Sequence, residues 1–259
     1  MLILLPPSET KRDGGTLPPL ELERLRFPEL RPARRRAIDA LHQLAADRDA
    51  AIRVLRLGPT QAGEVERNRR LLTSGTMPAL QRYTGVLYDA LDVDTLGEGP
   101  RSFADAHVVI QSALFGPIAA LDPIPAYRLS FDSRLPGVAL KKLWADDVRS
   151  VLERQSGLII DLRSEGYAKL GPAPRRADSV FVRVVARAED GTRRALNHFN
   201  KRGKGVFVRA LLESGVDLPD VPALLAWGAD EGIELNLRGD ELDLVVDEVP
   251  AGDIAQHRK

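Results

Sequence analysis

The densest concentration of chemically capable residues is Asn197-His198-Phe199-Asn200-Lys201-Arg202-Gly203-Lys204-Gly205, set between a strand-like run (180–188) and a helix-like one (206–212). Glycines allow positive φ and close approach of backbone to ligand. The N-terminus of a following helix offers free N–H groups and positive dipole character. With three cations and two amides, the stretch suits an anion, phosphate above all. A solvated basic turn would carry the same residues, so the reading depends on the rest of the chain. Ser8, Glu9, Thr10 and Lys11 follow Pro6-Pro7 off the end of an apolar run. Asp161-Leu162-Arg163-Ser164-Glu165-Gly166-Tyr167 repeats the pattern of hydroxyl, carboxylate and cation at a strand end. A proline-fixed path after residue 116 carries Tyr127, Arg128, Asp132 and Arg134. Polar groups on loops just beyond strand ends are where binding and catalysis concentrate.

The elements that must position these residues are legible as periodicity. Apolar runs at 1–5, 106–111 and 157–162 read as buried strands, 180–188 as an alternating strand containing Arg183 and Arg187, and 231–237 with 242–248 as a hairpin around Arg238-Gly239-Asp240. A second turn is expected at Glu189-Asp190-Gly191. Helical stripes are expected over 32–50, 61–73, 140–152 and 219–227, with Trp144 in the core. Arg34, Arg35 and Arg36 open the first stripe and read as a solvated face, with phosphate contact as the alternative. Residues 12–19, rich in glycine and proline, read as a mobile loop, and the last ten residues as frayed. Two short helices meeting at Tyr83-Thr84-Gly85 loosely resemble a helix-hairpin-helix unit, whose turn N–H groups can hold a DNA phosphate. Any αα-corner has the same outline. Thr84 and Gly85 therefore join the candidate phosphate ligands.

The composition is that of an ordinary globular protein of 259 residues, large enough for a sizeable core. No repeat or linker divides it, so one domain over 1–259 is expected, of the α+β (mixed α/β) class, with a mixed central sheet flanked by helices. The absence of cysteine removes disulfides, thiolate metal sites and cysteine nucleophiles and suits a cytoplasmic protein. No apolar run approaches a membrane span. Met1-Leu2-Ile3-Leu4-Leu5 lacks a preceding basic segment and reads as a strand rather than a signal peptide. The net charge of zero hides a split. Residues 171–210 carry 10 Lys+Arg against 3 Asp+Glu, whereas 211–259 carry 3 against 12. The basic block could steer an anionic ligand; the alternative is that the acidic tail folds back and neutralises it. The P-loop, the GxGxxG turn after a strand and the GxSxG elbow are missing. His42, His107, His198 and His257 are scattered without metal-ligand spacing. Neither a metal nor a cofactor is expected.

Leu-Leu-Pro-Pro-Ser8-Glu9-Thr10-Lys11, Tyr83-Thr84-Gly85-Val-Leu-Tyr88, Ser112-Ala-Leu-Phe-Gly116, Pro125-Ala-Tyr127-Arg128-Leu, Asp161-Leu-Arg-Ser164-Glu-Gly-Tyr167 and Lys201-x-x-Lys204-Gly205 occur in this order. Together they resemble the YaaA family of peroxide stress proteins over roughly residues 1–215, leaving 216–259 as an acidic C-terminal segment. The Pro-Pro-Ser-Glu-Thr-Lys opening resembles the actinobacterial branch; the enterobacterial branch opens with a Pro-Ala-Lys-Thr-like sequence. The resemblance implies a cytoplasmic protein that limits intracellular iron and oxidative DNA damage, with a mixed fold, a helix-hairpin-helix element and a basic cleft.

Two functions of different class follow. In the first, the chain binds double-stranded or damaged DNA through phosphates. Lys201, Arg202 and Lys204 form the core of that contact, with Asn197, His198, Gly205, Ser164, Arg128, Arg134, Tyr127 and Arg163 around them. In the second, it is an enzyme acting on a nucleotide or a damaged DNA end, lyase- or glycosylase-like. There Lys11 or Lys201 is the amine, Glu9 or Asp132 the general acid or base, and Ser8 and Tyr167 complete the catalytic set. Direct iron sequestration fits poorly, because the carboxylates lack paired metal spacing. Oligomeric state is not legible.

Overall fold

The computed structural model describes residues 1–187, 193–195 and 199–247. The first half of the chain forms β1 (Leu2–Leu5), α1 (Arg31–Ala46), α2 (Arg48–Leu55), α3 (Glu64–Arg69), β2 (Met77–Pro78), α4 (Ala79–Arg82), α5 (Val86–Leu91), α6 (Glu98–His107), β3 (Val108–Ser112), β4 (Gly116–Ala119) and β5 (Pro123–Ile124). The second half forms α7 (Leu140–Glu153), β6 (Ile159–Asp161), α8 (Glu165–Ala168), β7 (Ser179–Arg187), β8 (Arg193–Ala195), α9 (Phe199–Ser214), α10 (Val221–Asp230), β9 (Leu235–Arg238) and β10 (Glu241–Asp247).

Every residue of β1 is buried, as are those of β3 and β6. Strands apolar on both faces need cover on both sides, which a sheet between helices provides. The main sheet runs β4-β3-β1-β6-β7-β10-β9, with β8 paired to the far half of the long β7. The inner pairings β3-β1-β6-β7-β10 are parallel, and β4, β8 and β9 are antiparallel additions. The fold is thus mixed α/β, with one hydrophobic cluster extending from Leu2 to Leu244. From β1 the chain moves outward to β3, then returns across β1 to β6 and moves the other way to β7. The strand order reverses between β1 and β6, and a crevice is left outside their carboxyl ends.

Three sequence expectations change for local physical reasons. The stripe over 32–50 is two helices, because Asp47 is extended and its carboxylate accepts from the N–H groups of Asp49 and Ala50, starting α2 anew. Arg34 is not on a solvated face. It is fully buried and donates to the carbonyls of Arg26, Phe27, Phe115 and Pro117. Residues 12–19 are clamped to 75–82: Leu17 and Thr76 exchange backbone hydrogen bonds, and Arg12 N donates to the Arg82 carbonyl. The hairpin β9–β10 forms as expected. The turn at 189–191 and the last ten residues lie outside the described residues.

The largest change concerns 203–205. The helix expected at 206–212 already begins at Phe199, so Gly203 and Gly205 are helical and neither takes a positive φ. A Cβ on Gly205 would overlap the Leu87 carbonyl oxygen and lie 2.8 Å from Ala90 Cβ. Gly205 is there so that α9 can press against α5, which is a helix-packing role and not the phosphate-turn role its neighbours suggest.

Candidate functional site

A cavity of about 510 Å³ opens at the carboxyl ends of β1 and β6. Three walls form it. One is the loop after β1, with Ser8, Glu9 and Thr10; the second is Thr84, Gly85 and the start of α5; the third is Ser164 and Tyr167 beyond β6. Helix α9 contributes Asn200, Lys201 and Lys204, and Ser130 and Phe131 complete the rim. Helical periodicity explains the selection on α9. Residues 200, 201 and 204 share a face by i, i+3 and i, i+4 spacing, while Arg202 points around the helix and lines a separate cavity with Val206, Phe207 and Val246.

The loop after β1 is held by buried polar groups beneath it. Lys11 is 6% exposed; its amine donates to the Ser8 and Glu9 carbonyls at 2.9 and 3.3 Å and lies 4.2 Å from the Tyr127 ring centroid. Burial, helped by the Arg128 charge, lowers it to about 7. Tyr127 itself is buried and hydrogen-bonded to Tyr83 at 2.8 Å and Ser112 at 2.7 Å. Arg128 donates to Glu9 at 2.5 Å, and its backbone is fixed from both sides by the buried Asn68 amide. Ser8 and Thr10 hydroxyls are 3.1 Å apart, and Thr10 donates to the Thr84 carbonyl. Gly85 has φ 94°; a Cβ there would meet the Thr10 and Ser8 hydroxyls. The glycine therefore keeps these hydroxyls clear, as its residue type suggests. Its N–H is taken by Asp89 and that of Thr84 by the Thr10 carbonyl, so these two turn amides are occupied internally.

On the opposite wall, the Lys204 amine donates to the Leu162 carbonyl at 2.9 Å. Desolvation lowers it to about 8, with the Arg183 charge adding to the effect. Burial pushes the Tyr167 hydroxyl up to about 12, so it is a neutral donor or acceptor at physiological pH. Lys201 is exposed at the rim.

Several residues expected at the site are elsewhere. Arg163 is fully buried and binds Asp161 through two nitrogens at 2.8 and 2.7 Å, with a further bond to the Gly171 carbonyl; it is a core ion pair, not a phosphate contact. Tyr127 lies beneath the cavity, and Lys11 supports the loop from below without lining the cavity. Asp132 pairs with Arg56 at 2.8 Å and, like the exposed Arg134, is outside the lining. Asn197 and His198 lie outside the described residues. The acidic tail does fold back in part: Arg183 donates to Glu241 and to Glu165, with the Glu241 carboxyl lowered by that bond. Thr10 and Asn200, members of the two polar clusters singled out in the sequence, belong to the lining. Phe131 lines it too but was not expected there, having no signal beyond its place in the proline-rich loop. Among the described residues no group of three His, Asp or Glu side chains could hold a metal ion, and no described helix is long and apolar enough to cross a membrane.

The fold and cavity define a class: a mixed α/β protein with a hydroxyl- and lysine-lined crevice at a strand-order reversal, where ligands of such sheets bind. The chain belongs to the YaaA family of peroxide stress proteins, whose profile matches residues 1–232. It is 46% identical over 216 residues to a UPF0246 protein of Corynebacterium glutamicum, covering 82% of this chain and 84% of that one. A UPF0246 protein of Corynebacterium efficiens is 42% identical over 254 residues, 95% of this chain and all of the relative. One from Streptomyces coelicolor is 40% identical over 229 residues, 87% of each.

Proposed function

We propose that this peroxide stress protein protects DNA by binding its phosphates in the crevice between the ends of β1 and β6. The observation that carries the reading is convergence: Lys201 and Lys204, on one face of α9, meet the Ser8, Thr10, Thr84 and Ser164 hydroxyls in one concavity. Cations with hydroxyl donors are the usual partners of phosphate oxygens, and they position a nucleic acid without reading its bases. Limitation of iron-dependent damage then follows from occupying the DNA. Glu9 is the one carboxylate among the described lining residues, and Arg128 holds it. The test is binding of intact and abasic duplexes across a salt series. Log affinity falls by about 0.9 per log unit of salt for each phosphate neutralised. Lys201→Ala should weaken binding and flatten that slope by about one phosphate, whereas Arg202→Ala, on the other face of α9, should leave both nearly unchanged. Equal effects of the two substitutions would overturn the assignment of this crevice.

One observation favours a second reading, that of an enzyme on damaged DNA or a nucleotide. Lys204 has an amine lowered to about 8 on the cavity wall, and such an amine is partly unprotonated at neutral pH. It can attack the aldehyde carbon of an opened abasic sugar. The carbinolamine then loses the carbonyl oxygen and two hydrogens as water, leaving an imine. Borohydride would reduce that imine to a stable amine on Lys204; absence of any adduct with abasic DNA would leave binding alone.

A further inference from the structure

We infer that the crevice takes an unstacked nucleotide, with Phe131 as the platform for its base; this rests on the phosphate reading above and specifies its ligand. Single exposed apolar side chains are ordinary on protein surfaces, but Phe131 is built in. It is 39% exposed at the rim of the cavity. A Cβ on Gly166 would overlap the Phe131 ring, so the ring rests directly on the backbone of α8. The Phe131 and Tyr167 rings meet in a T-shaped pair, with centroids 5.1 Å apart and planes at 63°. Tyr167, itself buried, cannot yield. The Phe131 ring is therefore held by the α8 backbone and by Tyr167 while part of it stays exposed in the cavity lining. Val86, 37% exposed, lines the same cavity.

The polar lining and the aromatic rim are suited to different parts of one ligand. Lysines and hydroxyls suit phosphate and sugar, and a fixed aromatic face suits a base, since every base has a π-face to stack. In an intact duplex the bases are stacked on each other and unavailable to such a platform. A single strand, a nucleotide extruded from a duplex or a free nucleotide presents both parts together. These share one chemistry, a phosphate with an exposed base.

The test compares three probes at fixed salt: a single-stranded thymidine oligonucleotide, an oligonucleotide of equal length with tetrahydrofuran in place of every nucleoside, and thymidine 5′-monophosphate. Wild type should bind the thymidine oligonucleotide roughly ten- to a hundredfold tighter than the baseless one, the range expected for aromatic stacking. Phe131→Ala should abolish that ratio, and Phe131→Trp should keep it. The base-dependence is measured on the unaltered protein, so a poorly folding Phe131→Ala variant does not remove the test. Tight binding of the monophosphate would support the platform and identify a free nucleotide as its source. Equal, salt-sensitive affinity for both oligonucleotides overturns the platform and leaves phosphate binding standing. No binding to these probes or to duplex overturns both.

Discussion

Substituting Gly205 by alanine separates two roles for the same residue. In a phosphate-binding turn, an added methyl would obstruct the ligand and leave stability nearly intact. In the structure, Gly205 is inside α9 and opposes α5, where a Cβ overlaps the Leu87 carbonyl oxygen and crowds Ala90. A main-chain carbonyl within a helix cannot rotate away, so α9 and α5 must separate. Overpacking of this kind costs about 3 kcal/mol at the upper end of the usual range. Alanine in place of glycine inside a helix returns about 1 kcal/mol. The net expectation is a loss of about 2 kcal/mol, or a midpoint lowered by roughly 4–8 °C for a chain of this size. Gly203→Ala is the internal control. Its Cβ would lie 3.0 Å from Val246 Cγ1 and 3.3 Å from Val184 Cγ1, side-chain tips that can shift, so the helix-propensity gain should largely offset the crowding. The assay is urea unfolding of both variants, read as a change of midpoint at constant slope. A Gly205→Ala protein as stable as wild type, yet deficient in phosphate binding, would refute the packing role and restore the turn.

Arg163→Gln should cost about 3–5 kcal/mol in the same assay, because it leaves the Asp161 carboxylate buried without its partner. Arg34→Met should also destabilise strongly, since four backbone carbonyls lose their donor, while Arg35→Ala on the exposed face should change stability by under about 0.5 kcal/mol. Stability should rise with pH above neutrality. Lys11 is lowered to about 7 and Lys204 to about 8 from 10.5, so in that window the unfolded chain holds protons that the folded one has released. Each lysine then contributes up to about 1.4 kcal/mol per pH unit between its folded value and 10.5. Unfolding midpoints from pH 7 to 9.5 check this, and Lys11→Met should flatten the curve. A wild-type curve that falls over that range would contradict the burial of these amines.

The strands of the central sheet were legible because a strand buried on both faces must be apolar throughout, as Leu2–Leu5 and Ile159–Asp161 with their flanks nearly are. The helix over 140–153 was legible from its stripe, and Trp144, donating to the Ala113 carbonyl, is in the core as its face required. The order of short motifs identified the family, and the clusters at strand ends identified the Ser8 loop and Ser164 as neighbours of a crevice. Residue type could not tell which cations meet solvent. Arg34 is buried because carbonyls brought from elsewhere in the fold accept its hydrogens, the Pro117 carbonyl being 83 residues away. Arg163 and Lys11 find acceptors close in sequence, in Asp161 and in the Ser8 and Glu9 carbonyls, and are covered by distant groups such as Gln111 and the Tyr127 ring. A run of nine residues likewise does not disclose its helical phase when two glycines argue for a turn. Packing against α5 makes 199–214 one helix, and the 100° between successive side chains then sends Lys201 and Lys204 into the crevice and Arg202 away from it. Composition supplied the chemical groups; long-range packing decided which of them share a cavity.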